Sequence, residues 1–190
     1  DFCLSRGLGD VYKRQTKNPA TVRERLADIL RTKFNGYAVD MMFLDNSGVG
    51  GNAGVILAGL KALGFQNVMG INFGDQALHQ QFYVLRRDEM WGGMKNWLRE
   101  GGAIDDDREL QSDLQKPILI PDREQRIKLE PKDAMKKRLA KMGLDSASPD
   151  DADALALTFA LPVQTIKRSS VEAPPISAWE RASGSGSWMG

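Results

Sequence analysis

VDMMFLDNSGVGGNAG, residues 39–54, carries three signals in a row. A run of mostly apolar residues ends in one carboxylate, Asp45. A glycine-rich turn follows, and a helix begins near Ala53. A strand with this near-continuous apolar character suits the centre of a sheet covered on both faces. Its charged last residue then lies at the sheet's carboxyl edge, where α/β proteins place their chemistry. The strand is expected over residues 37–44, the turn over 48–54 and the helix over about 53–63, packing through Ile56, Leu57 and Leu60. Gly64 ends that helix. A second short strand over 67–73 completes strand, helix, strand, which predicts a parallel pair with a right-handed crossover.

Before the first strand, Asn18 and Pro19 read as a helix cap and first helical residue. Val22, Leu26, Ile29 and Leu30 follow at helical spacing as one core stripe, and Asn35-Gly36 ends the helix. After the second strand comes a longer helix over about 87–99, with Met90, Trp91, Met94, Trp97 and Leu98 on its apolar side. A short helix over 108–114 precedes Pro117. Residues 118–120 and 125–130, turned by Pro121-Asp122, read as a β-hairpin. Pro131 opens a basic helix over 132–141, and a last helix, with Ser148 as its cap and Pro149 as its first residue, runs to about 161.

Composition frames this pattern. The chain has 190 residues, 42% hydrophobic and 27% charged, with a net charge of +1. These are globular values, and the length suits one domain. No 18-residue apolar run suggests a membrane span. The single cysteine, Cys3, forms no internal disulfide, and no Cys/His cluster suggests zinc, which fits a reducing cytoplasm. Residues 3–15, CLSRGLGDVYKRQ, look like translated sequencing-adapter read-through, so residues 1–15 are expected to be non-native and the natural chain to begin near Thr16. They lack the continuous apolar core of a signal peptide. Residues 168–190, rich in Ser, Pro, Gly and Ala, read as a disordered tail, leaving one domain over 16–167.

The candidate sites each have a bland alternative. On the last helix Ala152, Leu155, Ala156 and Phe159 form the buried stripe, and Asp150 and Asp153 share an adjacent face. Acids in a first turn complement the helix dipole, which explains Asp150 and Asp151 without function. It explains Asp153 poorly, because Asp153 lies beside the apolar stripe. Asp45 followed by Asn-Ser-Gly is also plain turn chemistry. The glycine turn lacks the Lys-Ser/Thr of a P-loop and does not fit G-x-G-x-x-G, so nucleotide binding is weakly supported; its glycines let a helix or a ligand approach closely. Lys128, Lys132, Lys136, Lys137, Arg138 and Lys141 form either a solvated face or a contact to a phosphate backbone, to which Arg86-Arg87 could add. His79 reads as a surface residue, not a ligand.

Taken together, MFLDNSGVGG (42–51), RRDEMWGGMKNWL (86–98), IKLEPKDAMKKRL (127–139) and SPDDADALALTFA (148–160) resemble the C-terminal nuclease domain of the large terminase subunit of tailed bacteriophages. The likeness covers roughly residues 18–159, and it is the order and spacing of all four motifs that makes it specific. The resemblance implies an α/β, ribonuclease H-like fold. In it a mixed central sheet is flanked by helices, here lacking the first strands and carrying an added β-hairpin. It implies a metal-dependent DNA endonuclease that cuts concatemeric double-stranded viral DNA around packaging. Family members hold metal through acids that match Asp45 and Asp153, with Asp150 as a further ligand. Another acid belongs on a first strand that has no counterpart in this chain, so the chain as written is expected to cleave little or nothing. Expected partners are double-stranded DNA, the terminase ATPase domain, the small terminase subunit and the portal. The expected setting is the host cytoplasm.

The implied chemistry is coherent. In-line hydrolysis of a phosphodiester is served by two divalent ions about 3.5–4 Å apart. Mg²⁺ and Mn²⁺ take carboxylate oxygens, water and substrate phosphate. Asp45 and Asp153 would flank the ions, Asp150 would complete one shell, and Lys132, Lys136 and Arg138 would hold the duplex. The competing readings are a non-catalytic DNA-binding or packaging-assembly module and, on the glycine turn alone, a small nucleotide-binding protein.

Overall fold

A computed structural model describes residues 18–163, except 35, 48–52 and 105. The expectations for residues 1–15 and 168–190, and for the glycines at 48, 50 and 51, lie outside the described residues. Helix α1 (Pro19–Arg31) starts as its sequence demands: the Asn18 side chain accepts the Ala20 N–H at 3.0 Å, and Pro19 occupies the first turn. It stops earlier than Asn35-Gly36. Thr32 turns extended, and both its N–H and its hydroxyl donate back to the Asp28 carbonyl, at 3.0 and 2.8 Å. Phe34 and Tyr37 then exchange backbone hydrogen bonds of 2.8 and 2.9 Å. Tyr37 is therefore spent in a tight turn, and the strand expected from it begins only at Met42.

Strand β1 (Met42–Asp45), helix α2 (Ala53–Ala62) and strand β2 (Val68–Ile71) form the expected unit. The strands are parallel, in register from Met42 opposite Val68 to Asp45 opposite Ile71. Helix α2 ends in a left-handed Gly64 (φ +94°). The N–H groups of Gly64 and Phe65 reach back to Lys61 and Leu60, which satisfies carbonyls that the helix end would leave bare.

Side chains alternate across β1, and this places the two cores. Met42 and Leu44 pack with Leu26, Leu30, Ile56, Leu60 and Val68, under α1 and α2. Phe43 points the other way, against Ile71, Phe73, Met90, Trp91, Met94 and the apolar stripe of the last helix. Helices thus cover both faces of β1, as its apolar run requires. The second layer consists of α3 (Arg86–Arg99), α4 (Arg108–Gln115) and α6 (Asp150–Leu157), with α5 (Lys132–Lys141) beside them. Helix α6 packs against α3, α4 and β1.

The fold is mixed α/β: six helices and a small two-stranded parallel sheet among the described residues. The expected mixed sheet is not seen there, because the one ladder is parallel throughout. The expected hairpin is reduced to one antiparallel bridge, Leu119 with Leu129, flanked by hydrogen bonds from Ile120 to Lys128 and from Glu130 to Ile118. Its returning segment divides its bonds, because Ile127 also pairs with residues 82–84. No described helix is long and apolar enough to cross a membrane.

Gly92 inside α3 gives a test of this packing. A Cβ there would lie 2.6 Å from the Tyr83 hydroxyl oxygen and closer still to its ring, whereas at Gly93 it would meet Phe159 at an ordinary 3.5 Å. Gly92→Ala is therefore expected to lose about 1–3 kcal/mol in urea unfolding through overpacking. Gly93→Ala should be neutral or gain up to about 1 kcal/mol from helix propensity.

Candidate metal and DNA site

Helix α6 is positioned from outside itself. It begins at Asp150, and Ser148, the expected cap, contributes only its carbonyl, which accepts the Asp150 N–H at 2.9 Å. The side-chain cap comes from α4: Asp113 Oδ2 accepts the Asp151 N–H at 3.1 Å. Asp113 is itself buried and paired with Lys116 at 2.9 Å, and Lys116 also holds Asp145 at 2.8 Å. Burial pulls the Lys116 ammonium down, but hydrogen bonds to Asp145 and Asp113 outweigh it and hold the group above its ordinary 10.5. A raised lysine stabilises the fold below its unfolded pKa, and that contribution disappears as pH rises through the folded value.

So anchored, α6 turns Asp153 inward, where it is 5% exposed. Its Oδ1 accepts the Trp91 indole N–H at 2.8 Å. The Arg87 Nε stands 3.6 Å from the same oxygen, beyond hydrogen-bond reach. The Lys132 ammonium lies 2.7 Å from Oδ2 as an ion-pair contact without hydrogen-bond alignment, so Oδ2 is a buried oxygen with no directed donor. The Lys132 Nζ also stands 5.7 Å over the Phe73 ring. Two cations thus surround one buried carboxylate.

Asp45 sits at the carboxyl end of β1 and is exposed. Its Oδ1 accepts the Ser47 N–H at 2.9 Å and the Ser47 hydroxyl. The turn chemistry legible in Asp-Asn-Ser is therefore real. The Ser47 oxygen in turn accepts the Phe73 N–H at 2.8 Å. This gives a continuous path from the Asp45 turn through Phe73 to Lys132 and Asp153. Asp150 is exposed at the first residue of α6.

The expected DNA contacts separate into two kinds. Lys136, Lys137 and Lys141 are exposed on α5, whose inner face buries Met135 and Leu139. Arg138 is committed inward: it binds the Glu130 carboxylate and the Lys116 carbonyl. Arg86 and Arg87, which could have added to a phosphate contact, are buried. Arg86 pairs with Glu89 at 3.1 Å and donates to the Ala160 carbonyl; Arg87 donates to the Glu130 carbonyl at 3.0 Å. Trp91, read from the sequence only as core, also fixes Asp153. The adjacency of Arg87 and Trp91 within RRDEMW, one turn apart on a helix, was the available signal.

His79 is exposed, with Nδ1 2.5 Å from Glu89. Burial raises the Glu89 carboxyl, but the His79 contact, the Leu78 N–H and the Arg86 charge outweigh it and hold the group below its ordinary 4.5. A depressed carboxylate stabilises the fold above its unfolded pKa and loses that contribution as pH falls through the folded value. Glu89→Gln is therefore expected to flatten the decline of the urea midpoint between about pH 5 and pH 3.

Compared with protein-family models, with curated proteins and with solved structures, the chain gives no match.

The residues can be tested against a divalent cation directly. Asp153 offers one hard, anionic oxygen, Oδ2, but that oxygen is already in ion-pair contact with the Lys132 ammonium at 2.7 Å. Among the described residues, however, no three of His, Cys, Asp and Glu gather closely enough to hold an ion alone. Water and substrate phosphate would have to fill most positions, as is common for Mg²⁺.

Proposed function

We propose that the chain is a metal-dependent DNA endonuclease domain of a bacteriophage DNA-packaging terminase, ribonuclease H-like in fold and acting on double-stranded concatemer DNA in the host cytoplasm. The observation that carries this reading is the buried Asp153 on a helix packed against β1, the strand that ends in Asp45. The four ordered sequence motifs support it. In this reading Asp45, Asp153 and Asp150 supply carboxylate oxygens to two Mg²⁺ or Mn²⁺ ions. The ions would supply the charge that makes a water nucleophilic and stabilises the leaving oxygen. Trp91 holds Asp153 in one orientation through Oδ1. The exposed Lys136, with Lys137 and Lys141, meets the phosphate backbone, and Arg138 fixes α5 in place. The ATPase domain, small subunit and portal are the proposed partners.

A second reading, a non-catalytic DNA-binding or packaging-assembly module, is favoured by the lack of a three-acid group among the described residues. Supercoiled plasmid separates the two. With Mn²⁺, any nicking should be abolished by Asp45→Ala or Asp153→Ala. Nicking that survives both substitutions would rule the assignment out. DNA binding without any nicking would favour the second reading. Lys136→Ala is expected to weaken duplex binding modestly and to reduce its salt slope by about one.

A further inference from the structure

We propose that the cavity between α1 and the end of α2 is a binding site for a small, free monocarboxylic acid, with Arg23 as the group that takes its carboxylate. The proposal does not rest on the nuclease reading: α1 and α2 cover the Met42 and Leu44 face of β1, and the α6 stripe packs on the other face. The cavity measures about 360 Å³ and is lined by Arg23, Glu24, Ala27, Asp28, Arg31 and Leu63. That volume lies within the range of small-ligand sites. Two of its charges are already satisfied: Arg31 pairs with Asp28 at 3.1 Å and lies 5.5 Å from the centre of the Phe65 ring. Arg23 differs. Its Nε is buried and has no hydrogen-bond partner, and no ion pair among the described residues includes it.

Helix α2 fixes Arg23 in place. A Cβ at Gly59 would collide with the Arg23 Cδ and stand 3.2 Å from its Nη1. Glycine is unfavourable inside a helix, and here the missing side chain lets the Arg23 stem pack directly on α2. The guanidinium is therefore pre-positioned, with little rotamer freedom left to lose on binding. A buried N–H without a partner is unfavourable, and a carboxylate relieves it through a charge-assisted, forked bond to the guanidinium. The other walls select the rest of the ligand. Ala27 is buried and Leu63 is half exposed, so the ligand body beside them is apolar. Glu24 and Asp28 also line the cavity, which disfavours a doubly charged phosphate against a singly charged carboxylate.

Butyrate titrated against the isotope-labelled chain, with the arginine Nε–H resonances followed by NMR, tests this. The Arg23 resonance, assigned with Arg23→Lys, is expected to shift saturably with butyrate and to stay in place in sodium chloride at the same ionic strength. Arg23→Gln should bind butyrate about tenfold more weakly or worse, since a charge-assisted bond is lost. Gly59→Ala displaces the Arg23 stem but keeps its charge, and should weaken binding too. N-acetylglutamate α-amide, standing for a carboxylate on a protein partner, should bind more weakly than butyrate because its body is polar. Butyrate affinity unchanged in Arg23→Gln overturns the site. Methyl phosphate binding more tightly than butyrate overturns the ligand class, and the glutamate amide binding more tightly overturns the assignment to a free acid. If Arg23→Gln does not fold, the wild-type chain still decides: an Arg23 resonance that butyrate does not saturate, or that sodium chloride shifts equally, overturns the proposal.

Discussion

Asp153→Ala is expected to cost about 3 kcal/mol of folding stability in urea denaturation, apart from any effect on DNA cleavage. Removing one member of a buried ion cluster leaves the other without compensation, which costs about 3–5 kcal/mol in general. Here the remaining charge is Arg87, whose side chain is 9% exposed and whose Nε and Nη2 already lack hydrogen-bond partners. The low end of the range applies because Arg87 makes no direct hydrogen bond to Asp153 and Lys132 can rehydrate. Asp153→Asn should lose less, since an amide oxygen can still accept from Trp91. Both variants should lose Mn²⁺-dependent nicking by on the order of a hundredfold or more, several kcal/mol of charge stabilisation being removed. The two losses are therefore separable: the stability loss is larger for alanine than for asparagine, and the activity loss is the same for both.

Glu130→Ala is expected to cost about 2–3 kcal/mol, although nothing in its sequence position marks it. The Glu130 side chain is 5% exposed and binds Arg138, which also reaches the Lys116 carbonyl. Its carboxylate further accepts the Ile118 N–H at 3.3 Å. Hydrogen bonds to charged groups contribute about 1.5–3 kcal/mol, and Glu130 makes several at once, discounted because Arg138 is partly solvated. The same network sets the expectation for Arg138→Ala, which should lower stability and change duplex binding only through the fold. If Arg138→Ala instead weakened DNA binding at unchanged stability, Arg138 would be a duplex contact.

The periodic parts of the chain were legible in advance because burial is written locally. Leu26 and Leu30, Ile56 and Leu60, and Ala152, Leu155 and Ala156 lie at helical spacing, and each set is buried. The parallel pair followed from strand, helix, strand. Strand β1 starts at Met42 rather than Tyr37, because Tyr37 looks like strand but is captured by its bridge to Phe34. The hairpin shrinks to one bridge because the segment around Ile127 and Leu129 serves two partners at once, residues 82–84 and residues 118–120. Ser148 looked like the cap of α6, yet the cap is Asp113, 38 residues earlier than the N–H it accepts. Contacts of that separation leave no local trace.

The site divides in the same way. Asp153 stood out because a carboxylate beside an apolar stripe needs a partner, and the structure supplies three: Trp91, Lys132 and Arg87. Which residues those would be was not readable, since Trp91 lies 62 positions away and reads as core. The burial of Arg86 and Arg87 was hidden too, because an Arg-Arg pair at a helix start looks like a surface charge. Asp45 keeps both of its meanings. It is the turn residue that its sequence suggests, and it ends β1, the strand against which α6 packs.

Crystals grown with Mn²⁺ and measured at the manganese absorption edge give the deciding observation. An anomalous peak bonded to carboxylate oxygens of both Asp45 and Asp153 is expected. A peak on neither residue, or Asp45 and Asp153 carboxylates facing opposite sides of the sheet, would contradict it.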